Sequence, residues 1–468
     1  MQDFLHASQD EVLEAVERFE RMISTEKVVY FDVHQVENIF EFYLEKSLFD
    51  QADKIIEIGL NQHPQATSLL VKKASLYADQ GRKEEALELL RIVAPIENTN
   101  PDVFMTLAWI MLQKSEMKEA LQHYNKAVDL AFDDEESILL EIGYNLNQEE
   151  AYAESIPFLE RLIAKYPNNE NALFELAFSL DKVFDYKRSI ETYERLLDLN
   201  PFSENGWYNA GIIYNKLEQF IKASQAYDYT IAINPNHSEA YFNKGNSLVH
   251  HGCFDEALDA YIEHSTLSND VVLTYQYIAD CWEQLGNFDM AIRFYQLVIK
   301  ELPHHADAWY GLGTALMETK NFTGGLQAID QAISINPLNA DYWFAHARGL
   351  FELDKAEDAA RSLENGLNID PDEVTGWFEL LKLKIALDPN FVIPIFINEV
   401  VDRYNDVAAI HYLSAVAHYH FLKDTTTAIN ALKTAVAISE DGLKSVEEDY
   451  PDLLKEKEAM AFLGSILK

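Results

Sequence analysis

The chain has 468 residues, 48% of them hydrophobic, and carries 78 Asp and Glu against 37 Lys and Arg, a net charge of −41. That length exceeds the roughly 250–300 residues one core usually serves, so several domains or a repeat array are expected, and the apolar content excludes global disorder. The charge opposes a nucleic-acid backbone or an anionic membrane surface and favours basic protein segments as partners over distance.

Cys253 and Cys281 are the only cysteines, too few to staple such a chain, which points to packing and a reducing compartment. The opening MQDFLHASQDEVLEAVE has neither a basic nor an apolar signal region, so no signal peptide is expected. The most apolar window, FVIPIFINEVV from Phe391, is too short and too interrupted to span a bilayer. A soluble, cytoplasmic protein is the resulting expectation.

Taken in chain order, residues 3 to 24 read as an amphipathic helix, and a repeat follows. Pro167, Pro201 and Pro235 stand 34 apart, and the series resumes at Pro303, Pro337 and Pro371 after one missing member at Asn269. Pro64 fits the same spacing once an extra residue is allowed in the acidic loop from Phe132 to Glu136. Units counted from three residues after each proline position begin at Val33, Thr67, Pro101, Glu136, Glu170, Glu204, Ser238, Val272, Ala306 and Ala340.

Aligned columns test the period. The eighth residue is small in all units but the first, where it is Phe40, and the twentieth is Ala, Ser or Gly throughout, from Ala52 to Ala359. Bulky residues hold the fourth column (Trp207, Trp309, Trp343) and the twenty-fourth (Tyr124, Tyr193, Tyr227, Tyr261, Tyr295). Columns 4, 8 and 11 share one face of a first helix, and columns 17, 20, 24 and 27 one stripe of a second. Gly81, Gly252 and Gly286 sit at column 15, where the first helix must end and turn.

These columns resemble the tetratricopeptide repeat. The resemblance implies an all-α, right-handed superhelical solenoid of about twelve antiparallel helix pairs with capping helices. Residues 33–373 hold ten tandem units, 35 residues long in the third and 34 elsewhere, after a capping segment at 1–32. Two degenerate units follow at 374–440: Trp377 fits column 4, the first helix stops at Asp388-Pro389, and Ile410 to Ala417 pairs with Ala428 to Ala437. Residues 441–468 form the other cap, with a helix from Tyr450 to Lys468 placing Leu453, Leu454, Met460, Leu463 and Leu467 on an apolar side. No Gly, Ser or Pro-rich linker interrupts the array, which favours one continuous superhelix.

The family resemblance also implies that protein segments bind on the first helices, at columns 2, 5, 9, 12 and 13. Column 5 is an aromatic ladder that includes Phe174, Tyr208 and Phe242, a pattern common in the family for structural reasons. Column 13 is basic only in three adjacent units, at Lys182, Lys216 and His250. Phe178 and Ile212 lie beside them, as do Asn209, Asn215, Asn243 and Asn246, amides able to hydrogen-bond a peptide backbone whatever its side chains. These twelve residues are the candidate peptide-binding groove, and the acidic columns on either flank point to a ligand with basic flanks. Family members that grip chaperone tails use Lys at column 5, and no column 5 here is basic, so that ligand is not expected.

Catalytic and metal chemistry find no support. His250-His251-Gly252-Cys253 and His418-Tyr419-His420 lack a second ligand pair at matching spacing, and no phosphate-binding loop occurs. His264, at column 27, reads as a packing residue. The expectation is a non-catalytic scaffold or adaptor with a partner protein or peptide, no cofactor, no metal and no nucleic acid. Two alternatives are a regulatory receptor whose superhelix changes shape on binding a short peptide or small ligand, and an RNA-binding helical repeat, which the charge opposes. Bacterial origin is expected by analogy alone.

Overall fold

The computed structural model describes residues 9–25, 28–132 and 134–466, and among these every regular element is a helix. Residues 1–8, of which 3–8 belong to the expected N-terminal helix, positions 26, 27 and 133, and Leu467 and Lys468 of the expected final helix lie outside the described residues.

Packing divides the chain into two units, one ending at Ile233 and one beginning at Asn234. The first unit holds α1 (Gln9–Thr25), α2 (Val33–Glu45), α3 (Phe49–Gln62), α4 (Thr67–Asp79), α5 (Lys83–Val93), α6 (Pro101–Gln113), α7 (Met117–Leu130), α8 (Glu135–Gln148), α9 (Tyr152–Lys165), α10 (Glu170–Lys182), α11 (Tyr186–Leu199), α12 (Glu204–Lys216) and α13 (Phe220–Ile233). The second holds α14 (Ser238–His251), α15 (Phe254–Leu267), α16 (Val272–Gln284), α17 (Phe288–Glu301), α18 (Ala306–Glu318), α19 (Phe322–Ile335), α20 (Ala340–Glu352), α21 (Ala356–Ile369), α22 (Val374–Leu387), α23 (Ile393–Arg403), α24 (Ala408–Val416), α25 (Thr425–Ile438), α26 (Leu443–Asp449), α27 (Pro451–Leu454) and α28 (Lys457–Ile466). Each unit is an all-α solenoid in which a first helix packs on its second helix and then on the next pair.

First helices start where the column count places them, except α8, which begins one residue early, and a capping side chain stands just before several. Asp32 forms a capping box with Gln35, and Asn100, Asn169, Ser203 and Asn339 accept from backbone N–H groups of the first turn. The indole N–H of Trp207 donates to the Pro201 carbonyl at 2.9 Å, and Trp309, Trp343 and Trp377 repeat that bond to Pro303, Pro337 and Pro371. In these four places the proline and the fourth-column tryptophan are therefore one device, which ties the connection to the helix that follows.

Column 15 is left-handed whatever residue occupies it. Gly81, Gly252 and Gly286 have φ of 75°, 83° and 73°, and Ser47, Ser115, Glu150, Phe184, Glu218, Lys320 and Asp354 adopt φ between 57° and 67° at the same column. Side chains there cost roughly 1 kcal/mol or more each. The conformation is held because it closes the helix end: Phe184 N–H bonds to the Asp181 carbonyl, and Asp185 N–H to that of Leu180, both at 2.9 Å.

Between the paired helices, small residues meet rings. Tyr124, Tyr193, Tyr227, Tyr261 and Tyr295 are almost wholly buried, each a contribution on the scale of the roughly 1.5–3 kcal/mol of a large buried side chain. A Cβ placed on Gly211 would lie 2.6 Å from the Tyr227 ring, and one on Gly245 equally 2.6 Å from the Tyr261 ring.

The chain after α21 departs from the regular pattern. Pro394 opens α23 in its first turn, and α24 runs into a π turn at Ala417–Phe421, where the Leu422 N–H reaches the Ala417 carbonyl. The expected single helix from Tyr450 is broken, because Lys455 N–H turns to the Asp452 carbonyl and Glu456 N–H to that of Leu453 before α28 begins. Leu453 is buried as expected, but Met460 is 53% exposed and Ala459 takes the buried position.

Substituting Gly245→Ala should destabilise the protein by about 1–2 kcal/mol in urea unfolding, since overpacking against Tyr261 outweighs the roughly 1 kcal/mol gain in helix propensity. Combining it with Tyr261→Leu should cost less than the sum of the two single losses, and strict additivity would remove the contact from the account.

Candidate peptide-binding groove

The face presented by the first helices carries a cavity in each unit, and two more lie between α25 and the terminal helices α27 and α28. In the first unit a cavity of about 610 Å³ is lined by Ser137, Leu140 and Tyr144 of α8 and by Asn171, Phe174 and Glu175 of α10. In the second, a cavity of about 790 Å³ is lined from α16, α18, α20, α21 and α22. Many of its residues, among them Glu283, Tyr310, Thr314, Glu318, Asp341, Phe344, Arg348 and Phe351, stand at columns 2, 5, 9, 12 and 13 of their units.

Eight of the twelve sequence-selected residues lie in the first unit. Phe174 sets its ring 5.9 Å from Tyr193 in an edge contact and lines the smaller cavity. Phe178 meets Tyr152 at 5.9 Å, and the Lys182 ammonium sits 4.9 Å over the Phe178 ring. Tyr208 packs 5.9 Å from Tyr227 and stays half-buried, as do Asn209 and Ile212. Asn215 donates its amide to the Tyr227 hydroxyl at 3.2 Å. Lys216 pairs with Asp181 at 2.6 Å and lies 5.2 Å over the Tyr186 ring. Its charge is thus locally balanced, which the column pattern did not reveal.

The other four lie on α14 in the second unit. Phe242 belongs to an aromatic cluster, 5.8 Å from Tyr261, 5.2 Å from His264 and 5.3 Å from Tyr277. Asn246 accepts the Tyr261 hydroxyl at 2.6 Å. Asn243 is half-buried, its backbone carbonyl accepting from Ser247, and His250 is exposed.

A rule joins these contacts. Three buried tyrosines of column 24 bring their hydroxyls to polar groups on the first helices: Tyr227 to Asn215, Tyr261 to Asn246, and Tyr295 to Asp280 and Glu283 at 2.6 and 2.8 Å. A buried hydroxyl without a partner would be costly, so part of the amide and carboxylate lining serves the fold. Burial pushes the Asp280 carboxyl up to about 6, against the lowering effect of its bond from Tyr295.

Carboxylates also crowd the groove face of the first unit. Enclosure pushes Glu141 up to about 7, with Asp102, Asp79 and Glu41 adding to the rise. Asp102 and Asp79 are also raised, chiefly by enclosure. Lys72 bonds Glu41 and lowers Asp102. Column 13 alone did not disclose this concentration, because its members come from columns 2, 6, 9 and 13 of different units.

Among the described residues, no group of histidines, cysteines and carboxylates has the arrangement to hold a metal ion, and no helix is long and apolar enough to cross a membrane. Burial pushes the Cys281 thiol up to about 12, which opposes a thiolate nucleophile. His264 is buried and shares a 2.9 Å hydrogen bond with the Thr274 hydroxyl, in keeping with a packing role.

Family models described as tetratricopeptide repeat match residues 226–259 and 283–349. No curated protein matches the chain by sequence. Among solved structures, MamA is 21% identical, covering 37% of this chain and 95% of its own, with a TM-score of 0.35. YrrB, described as a TPR protein with an unusual peptide-binding site, is 16% identical over 42% of this chain and 98% of its own, with a TM-score of 0.36. A tetratricopeptide repeat protein from Parabacteroides merdae is 17% identical over 53% of this chain and 98% of its own, with a TM-score of 0.38. Likenesses of this size say nothing about what the present chain binds.

Burial holds the His264 imidazole below its ordinary value, with Glu239 acting in the opposite sense. The unfolded chain takes up that proton at about pH 6.5, so the stability is complete above that pH and declines as pH falls through it toward the folded value. Urea midpoints followed by tryptophan fluorescence should therefore fall more between pH 7 and about pH 5.5 in the native protein than in His264→Leu. Equal losses would exclude His264 as the source.

Proposed function

We propose that this chain, which belongs to the tetratricopeptide repeat family, is a non-catalytic scaffold or adaptor that holds a segment of a partner protein against its first helices. The observation that carries the reading is the placing of cavities in each unit along the first-helix face, with half-buried aromatic side chains at column 5. Cavities of this size fall within the roughly 300–1,000 Å³ typical of ligand clefts. In this reading Phe174, Phe178, Lys182, Tyr208, Asn209, Ile212, Asn215 and Lys216 contact the partner from the first unit, and Phe242, Asn243, Asn246 and His250 from the second.

The net charge of −41 selects a partner with basic flanks, since opposite charge steers association over a Debye length of about 8–10 Å. The protein works in the cytoplasm, without cofactor or nucleic acid.

A partner isolated from lysate on the native protein and identified by mass spectrometry supplies the test. Its affinity should fall about tenfold or more for Tyr208→Ala combined with Lys216→Ala, and again on adding Asn243→Ala, with helix content unchanged. Unchanged affinity in all these variants would reject the assignment of contacts.

A further inference from the structure

The larger cavity of the second unit reaches past α20 to the second helix, where Leu363 and Ala359 of α21 line it. In five units column 24 is a tyrosine whose ring fills the space behind the first helix; in the other five it is Ile56, Leu90, Leu159, Ile329 and Leu363, shorter aliphatic side chains. The Phe344 ring lies against Gly366 and Gly376, so close that a Cβ on Gly366 would meet it at 2.6 Å. On the far wall α22 presents Leu383 and the small Ala386, and Phe351 of α20 remains 59% exposed.

The charges around this apolar floor are unequal. Glu283, Glu318, Asp341 and Glu379 line the cavity together with Arg348 and Lys382. Both cations are engaged: Arg348 pairs with Glu318 at 3.5 Å, and Lys382 with Asp449 at 3.2 Å while lying 5.3 Å over the Tyr450 ring. Glu283 already accepts from Tyr295 and Thr314. Among the described residues, Asp341 and Glu379 have no cation within ion-pair distance, so the uncompensated charge at the opening is negative.

We propose that the cavity between α20 and α22 receives an aromatic or long aliphatic side chain from a lysine- or arginine-rich segment of a partner protein. The apolar side chain covers Phe344, Phe351, Leu363 and Leu383, and the flanking cations meet Asp341 and Glu379. The proposal rests on the scaffold reading but uses none of the twelve residues assigned above, so either can fail alone.

The test uses the full chain and a photoreactive synthetic peptide in which benzoylphenylalanine stands between lysines, with glutamate-flanked and serine-centred counterparts. Irradiation followed by mass spectrometry should place the label on α20 and α22, at Phe344, Phe351 or Leu383. Excess lysine-flanked phenylalanine peptide should compete, and the serine-centred peptide should not. Labelling should fall about tenfold or more with glutamate flanks, in Ala386→Trp, which fills the opening from an exposed position, and in Phe351→Ser. No labelling, labelling spread over the acidic surface, labelling at Tyr208 or Phe242 in place of α20, or labelling unchanged in both variants would each overturn the proposal. The Tyr208 or Phe242 outcome would at the same time favour the contacts proposed in the preceding section.

Discussion

The close approach of a first helix to its second is the constraint on which the rest of each unit depends. A small residue at column 8 and another at column 20 bring two backbones together, and a tyrosine at column 24 fills what remains, as Gly211 with Tyr227 and Gly245 with Tyr261 show. Once that distance is set, the turn between the helices must be short. The short turn in turn demands a left-handed residue at column 15, which serine, glutamate, phenylalanine, lysine and aspartate accept where glycine is missing. The local strain is offset because each such residue closes a helix end that would otherwise expose unpaired carbonyls.

The same tyrosines shape the surface that a partner would meet. Their hydroxyls draw Asn215, Asn246, Asp280 and Glu283 into supporting bonds, so the polar lining is held in fixed positions by the core beneath it. Where column 24 is Leu363, the side chain lines the larger cavity and offers no hydroxyl to its floor.

Much of the fold was legible because the repeat is written in residue size. Nearly every first-helix start from Val33 to Ala340 coincides with the column count. The left-handed turns at Phe184 and Glu218 were not legible, since a cost of roughly 1 kcal/mol is too small to force a glycine into each of them. The break before α28 depends on bonds such as Lys455 N–H to the Asp452 carbonyl, which no periodic pattern encodes. Of the candidate groove, the aromatic ladder was visible, but the pairing of Lys216 with Asp181 joins different helices and changes the local charge. The cavity beside Phe344 was not legible, since Leu90 and Leu159 hold the same column as Leu363 and the opening follows only from where Ala359 and Leu363 come to lie.

Stability resides in these local helix contacts, and native-state hydrogen exchange of the full chain across a urea series resolves them. Helix pairs should open as separate cooperative units, with residues 376–424 opening at the lowest free energy and the tyrosine-centred pair α14–α15 persisting longer. A single opening free energy shared by amides along the whole chain would contradict it.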